Sequence, residues 1–328
     1  MSYQLTAKEP LPDGIKRIVR EQLDKAIAQL SDRVADAPEA AIHDARKRFK
    51  KIRAVVRLVR SELRESVYQR EHSCFRAAGQ KLAEVRDAQV RINTLEALTE
   101  HFSDILEPEA FSSVHQALDA YSEATQHYIV AEENATEAVL SELQVARDRI
   151  ETWTLKHNDW SALEPNFKQT YKRGLKAFQI AYKKKTPENM HEWRKRVKYL
   201  WYDLSLLKPL WPDLMKAWAT EASTLADCLG NDHDLAVLRQ FILSQPKRLK
   251  GNSQLEVLIT LIDHRQAELQ TAARFLGQRL YAEKPKPLTR RLETYWDTWQ
   301  TQTHQLPQEL DKSALLERLA IAQPTATR

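Results

Sequence analysis

The sequence predicts an all-α protein made of two like halves, and three observations carry that prediction. Glycine is scarce, six in 328 residues, while Ala, Leu, Glu, Gln, Lys and Arg, which lose little on entering a helix, are abundant. Alternating Val/Ile/Thr-rich runs bounded by turn residues are few, so no sheet is expected. One basic pattern occurs twice: His43-Asp44-Ala45-Arg46-Lys47-Arg48-Phe49-Lys50 returns as His191-Glu192-Trp193-Arg194-Lys195-Arg196-Val197-Lys198, 148 residues later.

Residues 1–12 read as an irregular lead broken by Pro10 and Pro12. A helix over 13–30 follows, with Ile15, Ile18, Val19, Leu23, Ile27 and Leu30 inward and Lys16, Arg17 and Arg20 on another side. Asp36 is placed to cap the first basic helix, with Pro38 and Glu39 in its first turn, and that helix is expected to run to Leu63. At about 100° per residue, His43, Arg46, Lys47, Lys50, Arg53 and Arg57 gather on one face. Ala45, Phe49, Ile52, Val56 and Val59 gather on the opposite one.

The next helix is expected to hold Leu82-Ala83-Glu84-Val85-Arg86-Asp87-Ala88-Gln89-Val90. This stretch is echoed 147 residues later by Leu229-Gly230-Asn231-Asp232-His233-Asp234-Leu235-Ala236-Val237. Residues 108–156 read as a long hairpin or one extended helix. The polar, aromatic stretch 153–165 places a boundary between halves 1–160 and 161–328.

The second half opens with a helix over 166–185 carrying Tyr171, Lys172, Arg173, Lys176 and Lys183. Thr186-Pro187 is a start signal for the second basic helix. There His191, Arg194, Lys195 and Lys198 share one face, and Trp193, Val197, Leu200, Leu204 and Leu207 the other. Pro209 and Pro212 end it. Helices over 213–243 and 253–283 follow, joined by a polar connection at 245–252. Pro285 and Pro287 break the chain before a last helix holding Arg290, Arg291, Tyr295, Trp296 and Trp299. The tail from Ala320 is expected to fray.

The net charge is +5 and the pI about 9.0, so clustering matters more than total charge. Like charges at i,i+4 cost about 0.2–0.5 kcal/mol per pair. Arg46/Lys50 and Arg53/Arg57 are such pairs, and no acidic residue occurs from Arg46 to Arg60. A polyanionic partner is the simplest reason to tolerate that repulsion. Cys74 and Cys228 fit neither a disulfide framework nor a metal knuckle and read as buried free thiols. No signal-type leader or membrane-length apolar run is seen, so the default is a soluble cytoplasmic protein. Of Trp193, Tyr199, Trp201 and Tyr202, which could stack on bases, only Tyr202 falls on the ridge side. The others are assigned to core packing or its flank.

The paired His-x-x-Arg-Lys-Arg-x-Lys helices, each followed by Leu-x-x-x-(Arg/His)-Asp-x-x-Val, resemble the CHAD family, the conserved-histidine α-helical domain. The segment Leu280–Lys286 is similar to that family as well, and the likeness spans nearly the whole chain. The resemblance implies two pseudo-two-fold-related four-helix bundles with a basic cleft or pore between them that binds inorganic polyphosphate. It also implies a place at polyphosphate granules in the bacterial cytoplasm.

On the family's motif, His43, Arg46, Lys47 and Lys50 match the first basic helix and His191, Arg194, Lys195 and Lys198 the second. Arg53, Arg57, Arg86, Arg173 and Tyr202 are further candidates for binding. Both histidines are expected to donate to phosphate, with a pKa raised by the bound anion. Asp87 and Asp234 match the second motif. A carboxylate is a poor face for a polyanion, so each is read as orienting a neighbouring Arg, Lys or His. The sequence departs from the family at Ala83, where glycine is usual, and at His233, where arginine is usual.

Other members carry a triphosphate tunnel metalloenzyme domain, whose strands and Glu-x-Glu-x-Lys motif are absent here. The expectation is therefore a non-catalytic polyphosphate binder without metal or cofactor, with other granule proteins as compatible partners and no membrane role. A phosphohydrolase or phosphotransferase using the histidines and aspartates, and a nucleic-acid binder, are the alternatives.

Overall fold

The computed structural model describes residues 3–34, 36–82, 87–107, 109–126, 132–244 and 254–309. Among them are eleven α-helices and no strand. These are α1 (Leu11–Ala28), α2 (Pro38–Leu58), α3 (Glu65–Lys81), α4 (Asp87–His101), α5 (Ser112–Gln126) and α6 (Glu132–Glu151). They continue as α7 (Glu164–Lys183), α8 (Pro187–Leu206), α9 (Pro212–Ser244), α10 (Gln254–Leu280) and α11 (Pro285–Glu309).

The two basic helices form as their patterns predict. Ala45, Phe49, Ile52 and Val56 on α2, with Val59 at its C-cap, are 1% exposed or less, and Trp193, Val197, Leu200 and Leu204 on α8, with Leu207 at its C-cap, are fully buried. Burying one such side chain contributes about 1.5–3 kcal/mol, which outweighs the repulsion along each cationic ridge. The start of α8 is as predicted, with Thr186 Oγ1 accepting from Asn189 N at 3.3 Å and Pro187 in the first turn.

Several boundaries differ from the sequence reading, and Pro12, expected as a breaker, lies in the first turn of α1, which ends at Ala28. The residue capping α2 is Ala37, with no side-chain cap, rather than Asp36. That helix ends at Leu58, short of Leu63, because the chain turns there to bring Glu62 inward. Glu62 is 4% exposed and accepts from the backbone N–H groups of Lys156 and His157, both at 2.9 Å. The single helix expected through Leu82–Val90 is two: α3 stops with Leu82 as its C-cap and α4 begins at Asp87. Its later echo runs unbroken inside α9. Pro285 and Pro287 open α11 instead of preceding it, as the missing N–H of proline costs nothing in a first turn. Cys74 and Cys228 are free but only partly buried.

The apolar interior falls into two clusters. The larger joins side chains of α1, α2, α3 and α6 with those of α7, α8, α11, the start of α9 and the end of α10, so it runs continuously across residue 160. The smaller is built by α4 and α5 against the far end of α9 and the start of α10, for example Leu95, Leu98 and Val114 with Leu238, Leu258 and Ile262. The N-terminal lead is pinned to both basic helices. Leu5 N donates to Leu206 O at 3.2 Å, and Tyr3 Oη donates to Lys51 O at 3.2 Å.

Candidate functional site

Packing α2, α3 and α8 together leaves a cavity of about 540 Å³. From α2 it receives Lys50, Arg53 and Arg57; from α3, His72 and Arg76; from α8, His191, Arg194, Lys195, Lys198, Tyr199 and Tyr202. The 3–4-residue spacing on each helix keeps these side chains on one face. Among the described residues that line the cavity, seven are Lys or Arg and none is a carboxylate. The two copies of the motif enter unequally. α8 contributes from its histidine onward, whereas α2 contributes only its later turns. His43 and Lys47 are exposed and Arg46 is partly buried on the earlier turns of α2, outside the residues that line the cavity.

The acid in each copy has a structural task. Asp44 pairs with Arg48 at 3.0 Å and Glu192 with Arg196 at 2.5 Å, both at i,i+4. Glu192 also meets Lys195 at 2.5 Å. Each carboxylate thus engages the second arginine of the Arg-Lys-Arg run.

The wall is rich in donors without protein acceptors. The Nε atoms of Arg53, Arg57 and Arg194 are buried and make no hydrogen bond within the protein, and neither does Nδ1 of His191. Buried unsatisfied donors are costly. Burial, with Arg57 and Arg76 alongside, pushes Arg53 below the ordinary arginine range. Burial followed by the fields of Arg53, Arg57, Arg76 and Arg60 lowers His72 to about 4. Burial, then His233, Lys195 and Arg194, lowers His191 to about 4. Both histidines are therefore neutral near pH 7.

Tyr199 and Arg57 tie the helices together, with the guanidinium over the ring, and the arginine side chain continues into a small recess of about 60 Å³. There Arg60, Arg173 and Arg196 meet Arg57. Arg173, exposed on α7, thus stands beside the cleft. Tyr202 lines the cavity but is 4% exposed, stacked on Trp201 with centroids 4.9 Å apart and edge-on to Tyr3 at 6.4 Å. Under Arg57 lies Asp203, 2% exposed, whose pKa burial raises to about 7 against the opposing pull of Arg57 and Thr170.

Asp234 of the second motif is not among the residues that line the cleft. Asp87 is the first residue of α4, and its side chain and Arg86 lie outside the described residues. Asp234 Oδ1 is 3.7 Å from His233 Nδ1, and it lines a separate pocket with Asn93, Thr94 and Arg265. It reaches the site only through His233, whose ring packs on His191 with centroids 4.3 Å apart. The glycine of this motif meets the ridge directly: a Cβ on Gly230 would sit 3.5 Å from Arg194 Nε, so the arginine lies flat on α9 there. Ala83, its counterpart, is outside the described residues.

His72, Arg76, Arg60, Arg196 and Tyr199 were not among the sequence candidates. The one available signal was the i,i+4 stripe Tyr68, His72, Arg76; the stacking of Arg60 over Tyr68 at 4.5 Å is seen only in the fold.

This doubled cationic helix pair agrees with the comparison by family, in which residues 17–243 match the CHAD domain. The chain belongs to the CHAD domain family. Two solved structures share the fold. PptA from Streptomyces chartreusis is 16% identical with a TM-score of 0.61, over 84% of this chain and 100% of that one. The crystal structure of the CHAD domain from the plant Ricinus communis is 14% identical with a TM-score of 0.53, over 87% of this chain and 95% of that one. No curated protein matches. Among the described residues, no helix is long and apolar enough to cross a membrane, and no cluster of three or more His, Cys, Asp and Glu is placed to hold a metal ion.

Proposed function

We propose that this CHAD protein binds inorganic polyphosphate in the cleft between α2, α3 and α8, without turning it over. One observation carries the reading: seven Lys and Arg side chains line one cavity with no carboxylate among them. A phosphate chain carries repeated charge and no bases, so it needs only cations at a matching pitch. Arginine supplies a planar fork for two phosphate oxygens and lysine a point charge. Unsatisfied guanidinium N–H groups in the wall suit such an acceptor. The family resemblance points to the same ligand, and with it to cytoplasmic polyphosphate granules and to other granule proteins on the outer faces. Halves 1–160 and 161–328 are, in this reading, two copies of one bundle about a pseudo-two-fold axis.

The rivals have less support. A hydrolase needs a base beside the phosphorus. The bases that line the cleft are His72 and His191, both lowered to about 4 and so weakly basic; Glu192 is engaged by Lys195 and Arg196, and Asp203 is buried. A nucleic-acid binder needs an open aromatic face. One face of Tyr199 is taken by Arg57, and Tyr202 is stacked on Trp201.

Calorimetric titration with polyphosphate of defined length, at two salt concentrations, tests the proposal. Wild-type affinity should fall steeply with salt, as counterion release requires. An Arg53→Glu/Lys198→Glu double variant of unchanged helicity should lose it, and no orthophosphate should appear. Binding that the double variant retains would overturn the assignment, and displacement of polyphosphate by DNA at equal phosphate concentration would favour the nucleic-acid alternative.

A further inference from the structure

A second pocket, of about 900 Å³, opens on the other flank of α8, against α9 and α10. It shares His191 and Lys195 with the cationic cleft, so the two spaces meet at these side chains. Their chemistry is opposite. Ala236 and Val237 give the second pocket an apolar floor, and Leu243, 52% exposed, extends it at the rim. Around the floor stand groups that accept as well as donate, among them Glu188 and the amide of Gln240. The rings of His191 and His233 meet at the junction at 58°, each with a buried Nδ1 that makes no hydrogen bond.

A bare phosphate chain gains nothing from that floor and is repelled by Glu188 and by Asp232, which is held by Gln270 Nε2 at 2.8 Å. A ligand with an anionic tail and a flat, hydrogen-bonding head uses both spaces. We propose that this pocket takes the base and ribose of a nucleoside polyphosphate whose phosphates lie in the cationic cleft. Its tail passes between His191 and Lys195. Its base rests on Ala236, Val237 and Leu243, and its ribose hydroxyls donate to Glu188. The assignment rests on the reading of the cleft as a phosphate-chain site.

The test compares three ligands on the full chain in a chelator-containing buffer: adenosine triphosphate, tripolyphosphate and long-chain polyphosphate. The nucleotide should bind at least about tenfold more tightly than tripolyphosphate, equivalent to about 1.4 kcal/mol, although it carries less charge. Val237→Trp, which fills the floor, should erase that advantage and leave long-chain affinity within about twofold, on the same conversion. Leu243→Glu, on the exposed rim, provides a second variant that does not disturb the core and should reduce the advantage. Nucleotide binding no tighter than tripolyphosphate, beside intact long-chain binding, would overturn this assignment alone. Failure of all three ligands to bind would overturn the cleft reading and this one with it. A folded Val237→Trp protein that keeps the nucleotide preference would also sink it.

Discussion

The guanidinium carbon of Arg57 lies 3.5 Å from the centroid of the Tyr199 ring. One residue belongs to α2 and the other to α8, so the pair spans the two copies of the basic motif. A desolvated cation–π contact contributes up to about 2 kcal/mol, and here it also fixes where a cleft cation points. Tyr199→Leu should therefore weaken polyphosphate binding about three- to tenfold while the fold survives, and Tyr199→Phe should behave as wild type. Equal affinity for the leucine variant in calorimetry would remove the pair from the site.

His72 and His191 face the same cavity from α3 and α8, each lowered to about 4. A bound polyanion reverses the field and raises both values. The complex then holds more protons than the free protein between pH 4 and the raised pKa, so affinity should rise as pH falls through that window. Titrations at pH 6 in buffers of different ionisation enthalpy should reveal net proton uptake. His72→Gln/His191→Gln should abolish the uptake.

Asp203 is shifted the other way, upward. Its pKa, raised to about 7 by burial, exceeds the ordinary carboxylate value of 3.8. Its contribution to stability is full below pH 3.8 and is lost as pH rises through 7. Asp203→Asn should therefore stabilise the protein at pH 8, on the order of 1–2 kcal/mol, and by less at pH 5. Thermal unfolding at the two pH values decides it; an equal effect at both would refute the assigned protonation.

Gly277 lets α10 approach the aromatic cluster under α8. A Cβ there would sit 2.8 Å from Trp193 Cζ2 and 2.9 Å from Phe178 Cε2, rings with no free end to swing away. Gly277→Ala should cost about 1–3 kcal/mol by overpacking, read as a shifted urea midpoint with unchanged slope. A neutral result would mean that the rings repack freely.

The repeat made much of this legible. Buried seams and cationic ridges on α2 and α8 follow from angular periodicity, and both helix starts carry proline. Periodicity gives the face of a helix but not the level at which a neighbour crosses it. That is why Lys47 and His43 read as equivalent to Lys195 and His191, yet only the latter pair lines the cavity. Tyr199 read as core-flanking because aromatic bulk on a wheel does not disclose an arginine arriving from another helix. His72 and Arg76 carried no signal strong enough to separate them from a solvated face, since α3 mixes them with Glu71 and Glu65. The contact between His233 and His191 joins helices whose order in space no local pattern encodes.

The smaller apolar cluster has a mechanical consequence. Because α4 and α5 pack on the far ends of α9 and α10, the early and late parts of the chain are laced together at two places. The connection at residues 152–160 is thus no hinge: swinging one part from the other would tear apolar side chains apart in both clusters. The cleft walls α2, α3 and α8 all root their apolar sides in the larger cluster. On the proposed reading, a phosphate chain would meet an arrangement ordered by the folding of the polypeptide, and the larger share of the ordering would fall to the guest.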